Sequence, residues 1–329
     1  MSNVLFSSNE IDWQFPGMEN QKQVAVCMDV GGTSLKSGIL TAEGSLVPGS
    51  HHDDPVDSHG SAEGIIRAFA SSLRGSLDAA SAARCAVAGV CIAICGPFDY
   101  ARGISLMRGV GKYEALYGVN VKERLQGMLP VPDGTPLLFD IDSSCFARGE
   151  VWFGAGAPFD RVIVFTVGSG LGSAFAVNRR IVLEGPGVPW LGWIAGQPHR
   201  NGILNDAISR DALIRRYHEL GGRTPDVEAV ARRARAGDER AQRVFEEMGA
   251  ELGSFLAGHN VKEFGAECLV FGGRICRSFD LFAGPLREAL RQTACVRAVL
   301  AAADIEASAL RGAAQYVFDS GKGDAHAPV

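Results

Sequence analysis

The chain has 329 residues, 47% of them hydrophobic, and a formal net charge of −5. That length suits two packed domains, and the acidic balance (sequence pI ≈ 5.8) argues against sequence-independent nucleic-acid binding, which needs a basic face. The cysteines are scattered without a CxxC pair, as for reduced thiols in a cytoplasmic protein, and no apolar run reaches membrane-spanning length.

Residues 1–23 are polar, lack the apolar core of a signal peptide, and read as a loose arm. Residues 24–28 are apolar and read as a strand, with Asp29 at its end. Gly31 and Gly32 follow as a tight turn suited to positive φ, and residues 34–40 return as a second strand. This hairpin has two readings. It is an ordinary glycine turn, or it is a phosphate cradle. In the second case backbone N–H groups and the Thr33 hydroxyl surround phosphate oxygens, Asp29 holds a water of a hydrated Mg²⁺, and Lys36 adds positive charge. Residues 41–60 read as a loop, with His51 and His52 facing solvent.

Residues 62–83 carry Ile65, Ile66, Phe69, Leu73 and Leu77 at helical spacing. Residues 87–94 read as a strand ending in Cys95-Gly96-Pro97, a turn at the end of a strand where α/β folds gather ligands. A short helix at 121–128 and a strand at 136–142 come next. The spacing then predicts a helix over 143–153, with Asp142 or Ser143 at its N-cap.

Residues 161–167 read as a strand, Gly168-Ser169-Gly170 as its turn, and 173–177 as its return, so the first device recurs. Residues 184–202 form an irregular loop rich in Gly, Pro and Trp. Helices are expected at 205–220, 226–236 and 239–263. A strand at 268–273 runs into a third glycine turn, Gly272-Gly273. Helices at 279–294 and 307–318 and a polar tail at 319–329 complete the chain. Strands alternating with helices indicate α/β.

Glycine turns at strand ends with an isolated aspartate between them suit phosphoryl transfer, where the protein holds phosphates and metal and aligns the attacking oxygen. Gly272-Gly273 would let a helix start close to a nucleotide, with Arg274 or Ile275 beside the adenosine. Asp142 can accept the proton of a substrate hydroxyl as that hydroxyl attacks.

In these residues the chain resembles the ROK family (repressors, open reading frames and sugar kinases) of the actin/hexokinase-like ATPase superfamily. The matching stretches are Asp29 to Gly38, Val87 to Asp99, Asp142 through Glu150 to Gly156, Thr166 to Gly172, Val270 to Gly273, and Gly312-Ala313-Ala314. Together they span about residues 24–318 in family order. The resemblance implies an α/β two-domain actin-like ATPase (ribonuclease H-like) fold with a central nucleotide cleft. Its domains would be 24–135 and 136–304, with a closing helix at about 305–318 packing back on the first. It implies Asp142 as general base and ATP with Mg²⁺ as donor. The nucleotide would be held by Asp29, Gly31, Gly32, Thr33 and Lys36, by Thr166, Gly168, Ser169 and Gly170, and by Gly272 and Gly273. Gly96, Lys112, Ser144, Glu150, Trp193 and His199 are the expected acceptor residues.

There are departures from the family. Around the base, Ile141-Asp142-Ser143-Ser144 stands for Asn-Asp-Ala-Asn, and Ser144 can replace one amide contact. The family's Gly-Glu-x-Gly-His segment, whose Glu and His face the sugar ring, is here Gly192-Trp193-Ile194-Ala195-Gly196. The family's zinc loop has no counterpart, since residues 197–206 hold no Cys, so no zinc is expected. His199 reads as a loop histidine or a substrate contact. Arg108, Lys112 and Glu114 read as hydroxyl contacts or as a solvated face. Trp190 and Trp193 stack on a ring or pack the loop.

The expected activity is therefore ATP-dependent transfer to a primary hydroxyl of a sugar or a sugar-like C7-cyclitol. The alternative is a ROK-type sugar sensor or regulator without its DNA-binding domain. A small-molecule acceptor, no nucleic acid, no membrane, a cytoplasmic setting and a homodimer complete the expectation.

Overall fold

A computed structural model describes residues 21–132 and 134–321. Most of the expected N-terminal arm and polar tail lie outside the described residues.

The first half builds β1 (Gln23–Val30), β2 (Ser34–Leu40), β3 (His52–Pro55), α1 (Ala62–Ala82) and β4 (Ala86–Ile94). A small ladder, β5 (Phe98–Asp99) with β6 (Ile104–Ser105), then α2 (Val121–Gln126) and β7 (Leu137–Ile141) follow. Helix α3 (Asp142–Phe153) leads into β8 (Arg161–Val167), β9 (Leu171–Val177) and β10 (Arg180–Val182). After a second small ladder, β11 (Pro198–His199) with β12 (Gly202–Ile203), come α4 (Arg210–Glu219), α5 (Val227–Arg235), α6 (Glu239–Gly258) and α7 (Asn260–Phe264). Strand β13 (Cys268–Gly272), α8 (Phe279–Leu290), β14 (Ala298–Ala301) and α9 (Ser308–Ser320) close the chain.

The two main sheets have one plan. Their orders are β3-β2-β1-β4-β7 and β10-β9-β8-β13-β14. In each, an antiparallel three-strand meander continues into two parallel strands. The repeated hairpin in the sequence is thus one part of a repeated domain.

Alternation along the central strands decides what packs where. Val24, Val26 and Met28 of β1 face the cluster that includes Ile65, Phe69 and Leu73 of α1. Ala25 and Cys27 face Leu310, Ala313 and Val317 of α9. All five β1 residues are fully buried, as expected for a central strand covered on both sides. In β8, Ile163 and Phe165 join the core beneath α4 to α8, while Val162 and Val164 meet Phe146 and Ala147 of α3.

Helices α3 and α9 meet between the sheets at two glycines. A Cβ on Gly149 would lie 2.0 Å from the Ser308 carbonyl oxygen, and one on Gly312 would lie 1.7 Å from that of Cys145. Asp140 and Arg148 form a buried ion pair of 2.7 Å beside this crossing, with the guanidinium over the Tyr316 ring.

Several expectations change. The strand at 137–141, grouped from sequence with the second domain, hydrogen-bonds to β4 in the first sheet. Strands β3, β10 and β14 are additions to the sequence reading; all three are sheet edges, and the polar His-Asp-Asp-Pro of β3 gives no strand pattern. His52 does not face solvent: its Nε2 is buried, and its ring packs beneath Gly75 of α1. The helix expected over 239–263 breaks at His259, whose φ −128° and ψ −100° are not helical. The cap before α3 is Ile141, and Asp142 is the first helical residue.

Candidate active site

Parallel pairing of β1, β4 and β7 brings their C-terminal ends to one edge. Asp29 is in register with Ala93, and Ala93 with Asp140, so Asp29, Cys95 and Asp142 emerge together. The Asp142 carboxylate accepts from the Ser143 N–H at 2.7 Å and stays partly exposed.

The first glycine turn joins β1 to β2. Neither Gly31 nor Gly32 adopts a left-handed φ, contrary to the sequence reading. What requires glycine at 31 is crowding, because a Cβ would lie 2.8 Å from the Ser34 carbonyl oxygen that accepts the Gly31 N–H. Thr33 is exposed, and Lys36 lies opposite Asp29 in the hairpin. Lys36 Nζ is paired with Glu306, which also binds Arg277.

The second turn is braced from outside. Asn205 Oδ1 accepts the Leu171 N–H at 2.9 Å, and the Gly168 carbonyl accepts the Arg210 N–H at 3.0 Å. A Cβ on Gly170 would collide with that Asn205 oxygen at 2.8 Å. Ser169 is exposed and Thr166 partly buried. Gly172 backs onto Thr166 and Ser143, so this hairpin lies against the start of α3. Gly272 is covered by the Phe146 ring, and Gly273, at φ +85°, lies on the Val167 backbone. The third turn thus brings the exposed Arg274 to the edge of the first hairpin, where its charge bears on Asp29 and Lys36.

The charges converge. Burial, and then the neighbouring Asp142 carboxylate, push Asp29 up to about 6, against the pull of Lys36, Lys112 and Arg274. Burial opposes the charge of Lys112, but Cys95, Asp142 and Asp29 outweigh it and raise its pKa. Burial, followed by Asp142, pushes the Cys95 thiol up to about 11. Lys112 therefore sits among both aspartates, with its Cδ 3.9 Å from where a Gly32 Cβ would be.

A raised acid pKa means that the folded state holds a proton the unfolded chain has released. Asp29 therefore costs stability above about pH 6, and this cost disappears below its unfolded pKa near 4. Asp29→Asn should raise the melting temperature of the ligand-free protein at pH 7.5, by the equivalent of about 3 kcal/mol at most. The gain should vanish near pH 4. Melting curves across pH test both. An unchanged or lower melting temperature at pH 7.5 would refute the cost assigned to the buried Asp29 carboxylate.

Trp193 is 48% exposed. Ser173 Oγ donates to the Gly192 carbonyl and accepts the Ile194 N–H, at 2.6 and 2.9 Å, fixing the loop on either side of it. Its indole lies on Gly196, where a Cβ would meet the ring at 2.3 Å. The two residues that depart from the family's Glu and His thus form one unit, with the glycine making room for the indole. Ser144 is buried in the first turn of α3, and Gly96 is exposed just past the end of β4.

Glu150 is corrected. It is fully buried at the far end of α3, accepting from Ser308 Oγ at 2.5 Å and from the Ala155 N–H at 2.9 Å, so it braces α3 to α9 rather than meeting substrate. Burial raises its pKa against these hydrogen bonds. His199 Nε2 is engaged by Glu251 of α6 at 2.6 Å, and its ring is edge-on to Phe255. Arg108 lies over the Tyr117 ring and Glu114 accepts the Gly111 N–H, so both shape the loop at 106–117. Tyr113 and Glu306 were missed from sequence. Tyr113 lies in a glycine-rich run that gives no periodic signal, and Glu306 precedes a helix with nothing to mark it.

The ROK family sequence profile matches residues 25–319. The chain belongs to the ROK family. A glucokinase of Thermotoga maritima is 24% identical over 283 residues, covering 79% of this chain and 85% of its own. A ROK hexokinase structure from Thermus thermophilus superposes with TM-score 0.73 at 21% identity, covering 91% and 99% of the two chains. A ROK glucokinase structure from Streptomyces griseus, in complex with glucose and AMPPNP, gives 0.70 at 23%, covering 89% and 98%. The fold is the two-domain actin-like ATPase fold. No helix among the described residues is long and apolar enough to cross a membrane.

Proposed function

We propose that this protein is an ATP-dependent kinase that transfers the γ-phosphate of ATP to a primary hydroxyl of a sugar or a sugar-like C7-cyclitol. The observation that carries this reading is the convergence of Asp142, Asp29 and Lys112 beside the first glycine turn, with the second turn against the start of α3. Kinship with the glucokinases supports ATP as donor and a sugar-like acceptor.

In this reading Asp142 takes the acceptor's proton during attack, because a free alcohol is too weak an acid to ionise first. The turns at Gly31-Gly32 and Gly168-Gly170 hold the phosphates through backbone N–H groups. Mg²⁺ fits Asp29. Such an ion takes one or two carboxylates, waters and substrate phosphates rather than a full protein cage, and among the described residues no three-ligand cluster is present. It would neutralise phosphate charge. Closure of the two sheet domains would exclude water, and the chain would work in the cytoplasm, as a homodimer in the expected arrangement.

The acceptor reading rests on Trp193 over Gly196. A carboxylate and an imidazole grip ring hydroxyls, whereas an indole offers one N–H and an apolar face. A less hydroxylated or unsaturated carbocycle should therefore be preferred. We expect kcat/KM for D-glucose at least about tenfold below that for a C7-cyclitol, since one lost charged hydrogen bond is worth roughly 1.5–3 kcal/mol. An ADP-release screen over hexoses, hexosamines and C7-cyclitols tests this. Efficient glucose phosphorylation without cyclitol turnover would restore a hexose acceptor. Acceptor-independent silence towards ATP would favour a sensor.

A further inference from the structure

The segment from Leu106 to Tyr117 reaches the phosphate site by an unusual route. Gly109 and Gly111 have left-handed φ, as does Tyr113 at +58°. Tyr113 nevertheless is fully buried, edge-on to Phe69 at 5.9 Å. Its hydroxyl donates to the Gly31 carbonyl at 2.5 Å, and its N–H donates to the Ser58 carbonyl at 2.7 Å. A bulky side chain at positive φ persists only where surroundings over-determine it. Here the surroundings tie this segment to the first glycine turn itself. The residue before the anchor is Lys112, whose stem crosses Gly32 and whose charge bears on both Asp29 and Asp142.

The geometry points to Lys112 as a phosphate-stabilising catalytic residue, delivered by the Tyr113 anchor to the place where the γ-phosphoryl group passes to the acceptor, rather than as a contact to acceptor hydroxyls. This rests on the kinase reading. In the transfer, the acceptor oxygen bonds to Pγ while the bond from Pγ to the β,γ-bridging oxygen breaks. That oxygen leaves with the electron pair on ADP, and the hydroxyl proton goes to Asp142. Lys112 gives up no proton. Its ammonium neutralises charge on the transferring group, and its stem lies over Gly32, with Cδ 3.9 Å from where a Cβ there would be.

The test uses the full chain and two readouts. Lys112→Met should lower kcat about 10²-fold or more, the range for loss of one preorganised electrostatic group, while the acceptor KM changes less than about threefold. In binding titrations without acceptor, the wild-type preference for AMPPNP over ADP should collapse, because only AMPPNP carries the third phosphoryl group. Lys112→Arg should recover part of kcat. Tyr113→Phe, which keeps the ring and loses the bond to Gly31, should reduce the same AMPPNP preference with the acceptor KM unchanged. If Lys112→Met keeps its AMPPNP preference, or its acceptor KM rises tenfold with kcat retained, Lys112 serves the acceptor and the inference is overturned. Failure of the kinase reading shows separately, as wild-type protein that releases no ADP with any acceptor.

Discussion

Asp142→Asn is expected to reduce kcat by about 10²–10⁴-fold, the range for losing a general base, without unfolding the protein. The amide keeps the size of the carboxylate and can still accept the Ser143 N–H through its oxygen, so the start of α3 should hold. It cannot take the acceptor's proton. The same change removes the second-largest cause of the raised Asp29 pKa, so Asp29 should ionise more readily and Mg·ATP should bind at least as well as before. The signature is therefore a loss confined to turnover, with nucleotide affinity kept. Steady-state kinetics with nucleotide titration read it. A variant retaining more than about a tenth of wild-type kcat would remove Asp142 from the role of base.

Gly312→Ala is expected to destabilise the protein by about 3 kcal/mol or more, the upper range for overpacking. Helix propensity alone gives the opposite sign, since Ala is better than Gly by roughly 1 kcal/mol in a helix interior. The packing decides. The new Cβ would stand 1.7 Å from the Cys145 carbonyl oxygen and 2.7 Å from the Gly149 nitrogen, and both are helix backbone. Neither helix can yield by turning a side chain, so α3 and α9 must separate. That loosens the Asp140–Arg148 pair and the Glu150–Ser308 bond, and it shifts the helix that starts at Asp142. Gly258, the last residue of α6, is the control: it is exposed, its φ is not left-handed, no atom beyond its chain neighbours lies within 4 Å of its would-be Cβ, and Gly258→Ala should stabilise by about 0.5–1 kcal/mol. Chemical denaturation of both variants tests the contrast. Equal shifts of one sign would show that the crossing is not tight.

Between Lys36, Glu306 and Arg277 the two halves share a charged link beside the cleft. Lys36 comes from the first hairpin, Arg277 from the turn after β13, and Glu306 from the approach to α9. Each lies on a different element, so the link exists only once both sheets are assembled around the α3–α9 crossing.

What is local or periodic could be read from the residues alone. Apolar runs and glycine turns fix the hairpins at Asp29–Leu40 and Thr166–Val177, and 3.6-residue spacing fixes α1. Asp142 was legible because a strand passes into a helix there. Edge strands β3, β10 and β14 were not legible, because an edge needs only one hydrogen-bonded neighbour and little apolar surface. Tertiary structure decided where β7 pairs, since a parallel partner is chosen across intervening chain. It decided why Gly31 and Gly312 must be glycine, which is close backbone approach and not φ. It also separated residues that look alike in sequence. Glu150 and Asp142 lie on one helix, yet the first is consumed in holding α3 to α9 and the second is left open to the cleft. Lys112 gains its place only because Tyr113, buried through a contact far away in sequence, binds the turn at Gly31. Local pattern specifies elements, whereas the fate of a charge depends on what the other elements bring to it.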